Sequence, residues 1–546
     1  MKEKNIKIFL FLVIIFALGI RIFKLGSAPP SMHWDEPSWG YNAWSILKTG
    51  KDEYGNFLPL IFKAFGDYKT PVYVYLTAIS EAVFGLNEFA VRFPAAFFGT
   101  LSILLAFLVV KEIFNNEMIS LLTSIVLAFS PWHYHYSHGA WEVNVLLVFL
   151  LLGIYFFLKR KWLVSGLFFG LCFHVYNSAK LITPLLILGL ILFFPEKLKK
   201  KEWKKITLGV LIMGILVLPV FYFTFFGKAG GRLKVMSIFS YPRPPEEKRF
   251  ILEQENNFKN LSWNLFHNNL VYFGRGILER YLNHFSPRFL FFEGDWSNHR
   301  HSVPYVGVLN HMGILFLPLG VYYLISQNSK KQGFWWYWLA IAPLPAALSR
   351  DIIQATRSYF IVIPLSLLIA LGIYFVFQIV KKIPHFFKVG ILGILIFGWF
   401  FSFIFYLDQF FIHLPFTYSE DWLYGYKQVV EFIKDKTDDY EEVVFTSKYG
   451  QPYIFWLFYS QYPPENYQKQ AKLIEHPEGD VGRVERIDNI VFREIYWPKD
   501  RFVKKRLYIG ATYEIPLEDI REEEARILKE INFFNGKLAF RIVETL

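Results

Sequence analysis

Apolar residues in this chain gather in long runs separated by short basic or aromatic-rich segments. The runs fall at residues 6–23, 89–110, 118–132, 142–158, 162–178, 180–195, 206–226, 304–325, 334–349, 358–380 and 389–406. Most approach the roughly 20 residues an α-helix needs to cross a bilayer. The pattern predicts a polytopic α-helical membrane protein with about 11 transmembrane helices, in which the pair 162–178 and 180–195 shares the tightest turn. The run at 6–23 is long for the core of a cleaved leader and is read as an uncleaved anchor.

Charge orients the runs. Lys2, Lys4 and Lys7 precede the first, and Lys111, Lys159 to Lys161, Lys197 to Lys205, Lys330 with Lys331, and Lys381, Lys382 and Lys388 occupy alternate loops on the same side. Positive charge marks the cytoplasmic side, so the N-terminus is expected in the cytoplasm and the C-terminus outside a plasma membrane. Two segments between runs are then outer loops, 24–88 and 227–303, and residues 407–546 form an extracytoplasmic tail. Trp39, Tyr41, Trp44, Tyr54, Tyr73 and Tyr75 in the first loop suit amphipathic helices at the membrane interface. The tail reads as an α/β domain, with helices over 426–436 and 522–531 and strands over 442–446, 506–510 and 537–543.

Composition narrows the function classes. The chain of 546 residues is 54% hydrophobic and 20% aromatic, with a formal charge of +12. The lysines accounting for that charge follow topology rather than forming a basic stripe, so nucleic acid is not an expected partner. The single cysteine, Cys172, lies in an apolar run and permits no intrachain disulfide. The tail has no glycine-rich phosphate loop and no nucleophile elbow. The membrane part shows no repeat of the kind many transporters carry.

The candidate chemistry begins at Met32-His33-Trp34-Asp35-Glu36-Pro37, where two adjacent carboxylates sit among aromatics just past the first run. Asp35, Glu36, Asp67, Lys69, Arg92, Glu142, Asn144, His174, Lys180, Arg350 and Arg357 are all expected at the outer ends of the spans. One carboxylate beside several cations suits a base that takes a proton from an acceptor hydroxyl while the cations hold a departing lipid phosphate. A sugar linked to lipid through phosphate already has a good leaving group, so the second carboxylate of a glycoside hydrolase is not needed. Asp35 fits the base, and Lys69, Arg92 and Arg357 the phosphate. Neighbouring residues point in different directions, so Glu36 is expected to hold a backbone or basic group rather than share that task.

His33-Trp34-Asp35-Glu36, Gly66-Asp67-Tyr68-Lys69-Thr70-Pro71 and Phe89-Ala90-Val91-Arg92-Phe93-Pro94 together resemble the GT-C glycosyltransferases of the protein O-mannosyltransferase and lipid A aminoarabinose transferase type. The resemblance covers residues 1–410, with Thr70 departing from a frequent proline. It implies a polyprenyl-phosphate sugar donor, Asp35 as base and Lys69 on the lipid phosphate. Arg357-Ser358-Tyr359 with Pro364 resembles the Arg-x-Tyr and proline that open a late span, placing Tyr359 beside Arg357 at the donor phosphate. Ser130-Pro131-Trp132 through Trp141-Glu142-Val143-Asn144 resembles the second outer loop, where relatives carry an acidic residue facing the site.

Other polar groups have plain structural alternatives. Glu142 could be a second site carboxylate or a helix N-terminal charge. Asp67, His174, Lys180, Arg300 and His301 are candidate substrate contacts. Lys180 could equally snorkel to the interface, and Asp295 to Ser302 could be an ordered loop. No cofactor is implied; His133, His135 and His138 leave a divalent metal open, although their spacing matches no zinc motif. The expected function is transfer of a sugar to a hydroxyl of a protein, glycan or lipid, with membrane lipids around it. A lipid or polysaccharide transporter and a surface receptor using the tail are the alternatives.

Overall fold

The computed structural model describes residues 3–227, 236–240, 243–254, 261–327, 329–475 and 482–546. Part of the expected outer loop at 227–303, residues 228–235, 241–242 and 255–260, lies outside them, as does Lys2. Every predicted apolar run contains helix, although that of 304–325 begins only at Gly313 and that of 162–178 ends at Cys172. Among the described residues five helices are long and apolar enough to cross a membrane, Glu3–Ile22, Glu88–Phe114, Lys200–Phe225, Ala355–Val380 and His385–Tyr418, and there are shorter apolar helices of 10–17 residues. Proline shortens two predicted runs. The run 118–132 ends as helix at Ala128, with Pro131 opening the short helix Pro131–Tyr136, and 334–349 breaks at Pro343 into Gly333–Ile341 and Leu344–Ala347.

Without a hydrophobic drive inside lipid, such helices associate through close packing, and small residues let backbones approach. A Cβ on Gly320 would lie 1.7 Å from the Leu368 carbonyl oxygen, and one on Gly372 1.9 Å from that of Phe316. Helices Gly313–Ser326 and Val362–Val380 therefore touch at their glycines. By contrast His385–Asp408 keeps Phe386, Phe397 and Ile394 largely exposed, as expected of a lipid-facing surface.

The two ends of the bundle differ in chemistry. At one, Lys159 pairs with Glu112, Lys331 with Glu196 and Lys111 with Glu117. At the other lie the starts of Glu88–Phe114, Glu142–Leu158 and Val362–Val380, and here the segment 24–88 folds. It is not a set of helices lying on the surface. Helix Asp35–Thr49 buries Glu36, Trp39, Tyr41 and Asn42 among others, and packs between helix Pro71–Phe84 and helix Pro452–Tyr459 of the tail.

The tail builds a six-stranded mixed sheet in the order Arg486–Ile487, Ile490–Phe492, Glu442–Phe445, Arg506–Ala511, Leu538–Thr545, Ala525–Asn532. Val443, Phe445, Ile509 and Phe540 face helices Tyr426–Ile433 and Pro452–Tyr459, while Val444, Tyr508 and Val543 pack on Trp497 on the opposite face. The expected helix over 522–531 is instead the edge strand Ala525–Asn532, antiparallel to the last strand. Its Glu, Lys, Arg and Leu favour helix locally, but the Phe533–Gly536 turn closes a hairpin through Phe533 N to Lys537 O at 2.8 Å. Pairing with the sheet overrides propensity, and Arg526, Lys529 and Glu530 become the exposed charges that keep an edge strand from pairing further.

Candidate active site

Helix Asp35–Thr49 starts with both carboxylates in its first turn, where the helix dipole favours negative charge. Their environments then diverge. Glu36 is 4% exposed. Its Oε1 accepts from Arg92 Nε at 2.9 Å and Ala140 N at 3.0 Å, and its Oε2 accepts from Arg92 Nη2 at 3.1 Å and His33 N at 3.2 Å. Asp35 is left 30% exposed, with Lys69 Nζ 3.0 Å from its Oδ1.

Lys69 reaches Asp35 because of a tight hairpin. Strands Phe62–Ala64 and Asp67–Lys69 pair antiparallel, and Phe65 and Gly66 between them both have positive φ, 55° and 89°, as a two-residue type I′ turn requires. Side chains alternate across a strand, so Asp67 and Lys69 share a face. Asp67 Oδ2 lies 3.6 Å from Lys69 Nζ, leaving the lysine between two carboxylates and 11% exposed. Thr70 Oγ1 donates to Val175 O at 2.6 Å and Val72 N to His174 O at 3.2 Å, which ties the hairpin's exit to the 172–179 turn.

Arg300 approaches from the other side. Its guanidinium lies within electrostatic reach of Asp35, Asp421 and Glu36; burial lowers its proton affinity, and these carboxylates oppose the effect. Nε bonds Asn298 Oδ1 at 3.2 Å, and neither Nη has a hydrogen-bond partner among the described residues. The Arg300 carbonyl accepts from His135 Nε2 at 2.6 Å. The loop is fixed by Asp295, whose Oδ2 meets His301 Nδ1 at 2.7 Å and Ala355 N at 2.9 Å. Burial pushes the Asp295 carboxyl up, but His301, the Ala355 N–H and Ser297 outweigh it and hold the carboxyl below its usual range. Burial likewise lowers the His301 imidazole, against the pull of Asp295. His33 is held well below its ordinary range by burial and by Arg300, and faces the site uncharged.

Several expected site residues do other work. Arg92 is 1% exposed. Besides its two bonds to Glu36, it donates to the carbonyls of Leu25, Pro29 and Ser31. With five bonds for five N–H groups it has no donor left for a phosphate, and it pins the chain entering Asp35. Glu36 is likewise fully used by Arg92 and two backbone amides. Tyr359 is fully buried, stacks on Tyr136 at 5.0 Å and donates to Asn144 Oδ1 at 2.5 Å. It is a core residue rather than a phosphate contact.

Arg357 pairs with Asp351 at 3.0 Å, and Asp351 lies within reach of His301. His174 donates from Nε2 to Leu216 O at 2.6 Å, and Lys180 to Thr224 Oγ1 at 3.0 Å, so both join neighbouring helices. Glu142 is half-buried at the start of its helix, within electrostatic reach of Tyr73 as Glu36 is. His133 bonds Arg21 and Ser102, His135 the Arg300 carbonyl, and His138 faces the Tyr134 and Phe23 carbonyls. The three rings do not converge, and among the described residues no group of three His, Cys, Asp or Glu is arranged to hold a metal.

Sequence reasoning missed the tail's part in this site. Trp34, next to Asp35, packs over Gly450, where a Cβ would lie 2.6 Å from its ring. His299 stacks on Tyr418 at 4.4 Å and meets Asp421 at 3.3 Å. Lys427 Nζ bonds Glu88 Oε1 at 2.6 Å. No local motif signals these contacts, because each joins positions more than a hundred residues apart.

The architecture is that of the GT-C fold, a multi-pass helical membrane part with a C-terminal sheet domain. ArnT from Cupriavidus metallidurans bound to undecaprenyl phosphate superposes with a TM-score of 0.53 at 12% identity, over 97% of both chains. Its apo form gives 0.52 over 98% of this chain and 97% of that one, also at 12% identity. The Archaeoglobus fulgidus oligosaccharyltransferase in its apo form gives 0.51 at 12% identity over 84% of this chain, which spans only 64% of the archaeal protein. Within the fold, residues 68–223 match the family model for dolichyl-phosphate-mannose-protein mannosyltransferase. That stretch holds Lys69, Arg92 and Glu142; Asp35 lies outside it, 33 residues before its start. No curated protein sequence matches.

Proposed function

We propose that this protein transfers a sugar from a polyprenyl-phosphate donor to an acceptor hydroxyl at the outer face of a plasma membrane, with its N-terminus in the cytoplasm and its sheet domain outside. The observation that carries the reading is Asp35, a partly exposed carboxylate 3.0 Å from Lys69 and within electrostatic reach of Arg300, whose Nη groups have no hydrogen-bond partner among the described residues. Asp35 takes the proton of the acceptor hydroxyl as its oxygen bonds the anomeric carbon. The bond from that carbon to the phosphate oxygen breaks, and its electron pair leaves with the lipid phosphate. Lys69 and Arg300 stabilise that developing charge. Direct displacement inverts the anomeric centre. Arg357 and Glu142 stand at the margin, for acceptor or donor headgroup, and Arg92 and Glu36 hold Asp35 in place. The family match over 68–223 and a fold shared with a structure holding undecaprenyl phosphate support a lipid-linked donor.

Purified full-length protein in lipid nanodiscs, offered a panel of labelled polyprenyl-phosphate sugars with peptide, glycan and lipid acceptors, tests the proposal. It predicts free polyprenyl phosphate in step with labelled acceptor. Sugar-lipid that crosses a proteoliposome membrane unchanged, with no transfer, would instead identify a transporter.

A further inference from the structure

The hairpin bearing Asp67 and Lys69 is gripped from outside by the sheet domain. Gly482 N donates to Phe65 O at 2.6 Å in the hairpin turn, Lys63 pairs with Glu475, and Phe65 meets Tyr453 edge-on at 6.0 Å. Gln468 Nε2 donates to Ser45 Oγ, Thr49 Oγ1 and Asp52 O, each at 3.0 Å, and Tyr41 donates to Tyr462 O at 3.0 Å. At the centre of this interface is a carboxyl that the proposed reaction does not use. Glu53 is fully buried; Asn42 Nδ2 donates to its Oε1 at 3.0 Å. Its Oε2 and the Tyr467 hydroxyl are buried without a hydrogen bond among the described residues, and the hydroxyls of Tyr54 and Tyr453, also buried, interact with each other outside ordinary hydrogen-bond geometry. Glu53 and Tyr54 come from the segment before the hairpin, Tyr453 and Tyr467 from two helices of the sheet domain, and all four lie within electrostatic reach of one another.

We propose that Glu53 is a positioning residue: in its neutral form it lets the sheet domain seat against the hairpin, making the tail a proton-sensitive buttress of Lys69. An ionised carboxylate buried here would lose its hydration with only the Asn42 bond and Lys63 to offset the loss, whereas a carboxylic acid can donate to a tyrosine oxygen. The charged and titratable groups facing it are Asp52, Tyr54 and Lys63 on its own loop, Tyr41 on helix Asp35–Thr49, and Tyr453 and Tyr467 on the tail; Glu475 reaches only as far as Tyr54. Burial, with Asp52 adding, pushes the Glu53 carboxyl up to about 8 against the Asn42 bond and Lys63. Such a group binds more protons seated than unseated. Its contribution is therefore complete below the ordinary carboxylate range and is lost as pH rises towards 8.

The test is amide hydrogen exchange of residues 62–69 in the full-length protein in nanodiscs, from pH 5 to 9, corrected for the intrinsic rate of each amide. In the wild type, protection of the hairpin should fall with pH by up to about tenfold per unit, the limit for one linked proton, and level off above 8. Glu53→Gln, which mimics the neutral acid, should abolish the slope, whereas Glu475→Gln should loosen the hairpin and keep it. A wild-type slope in Glu53→Gln, or no slope in the wild type, would overturn the proposal. Its catalytic consequence rests on the transferase reading: the donor KM should rise with pH in the wild type and stay flat in Glu53→Gln. Absence of sugar transfer at every pH would overturn that reading and leave the exchange result to judge the buttress alone.

Discussion

Asp35 and Glu36 are neighbours in sequence and opposites in environment, and the difference sets what each substitution does. Arg92→Gln leaves Glu36 buried without its cation, and Glu36→Gln leaves Arg92 in the same position. Removing one partner of a buried pair costs about 3–5 kcal/mol, so both variants should lose thermal stability, read as a lower midpoint or poor yield in detergent. Lys69→Gln should raise the donor KM with a smaller loss of melting temperature than either of those variants, because Asp35, one of the two carboxylates it pairs with, stays partly exposed to water. The sequence singled out Asp35 and Lys69 as candidates, since a carboxylate and a lysine just past the first span have few structural uses, and the fold brings them within 3.0 Å. The role of Arg92 was not, because its mate lies 56 residues away and position at a span entrance says nothing about which way a guanidinium turns. Tyr359 and Arg357 show the same limit. Two residues apart in sequence, one stacks in the core and the other meets Asp351.

Elements built from strong periodicity were read well, and those built from turns were not. The long apolar helices follow directly from their runs, as do the strands at Glu442–Phe445 and Leu538–Thr545. The edge strand Ala525–Asn532 was misread because helix formers fill it and only Asn535-Gly536 signals the hairpin. The short hairpin at Phe62–Lys69 went unrecognised for a similar reason: three-residue strands have no period to detect. It is nonetheless the element that aims Lys69. Gly66 at φ 89° occupies the left-handed region, where a Cβ costs about 1–2 kcal/mol. Gly66→Ala should therefore disturb the turn and raise the donor KM several-fold with little change in melting temperature, a split that steady-state kinetics and a thermal scan would show together.

Across the whole molecule, one end of the bundle carries paired lysines and the other carries Asp35, Lys69, Arg300 and the sheet domain. The expected sidedness can be read with a cysteine at residue 535: the native Cys172 is buried and gives little background. An impermeant maleimide should label Asn535→Cys in intact cells, and labelling only after lysis would reverse the topology. The contacts of the tail with Trp34, Phe65 and Tyr41 make it a wall of the site rather than an appendage. A chain ending at Tyr418 should therefore lose protection of the hairpin and donor turnover together. The proposed chemistry itself rests on Asp35 as the base, and the most direct measurement is sugar transfer by full-length Asp35→Asn alongside its affinity for polyprenyl phosphate. Turnover should fall by about 10²–10⁴-fold, the span of a positioned general base, with lipid-phosphate binding close to wild type. Wild-type turnover in Asp35→Asn would contradict the assignment.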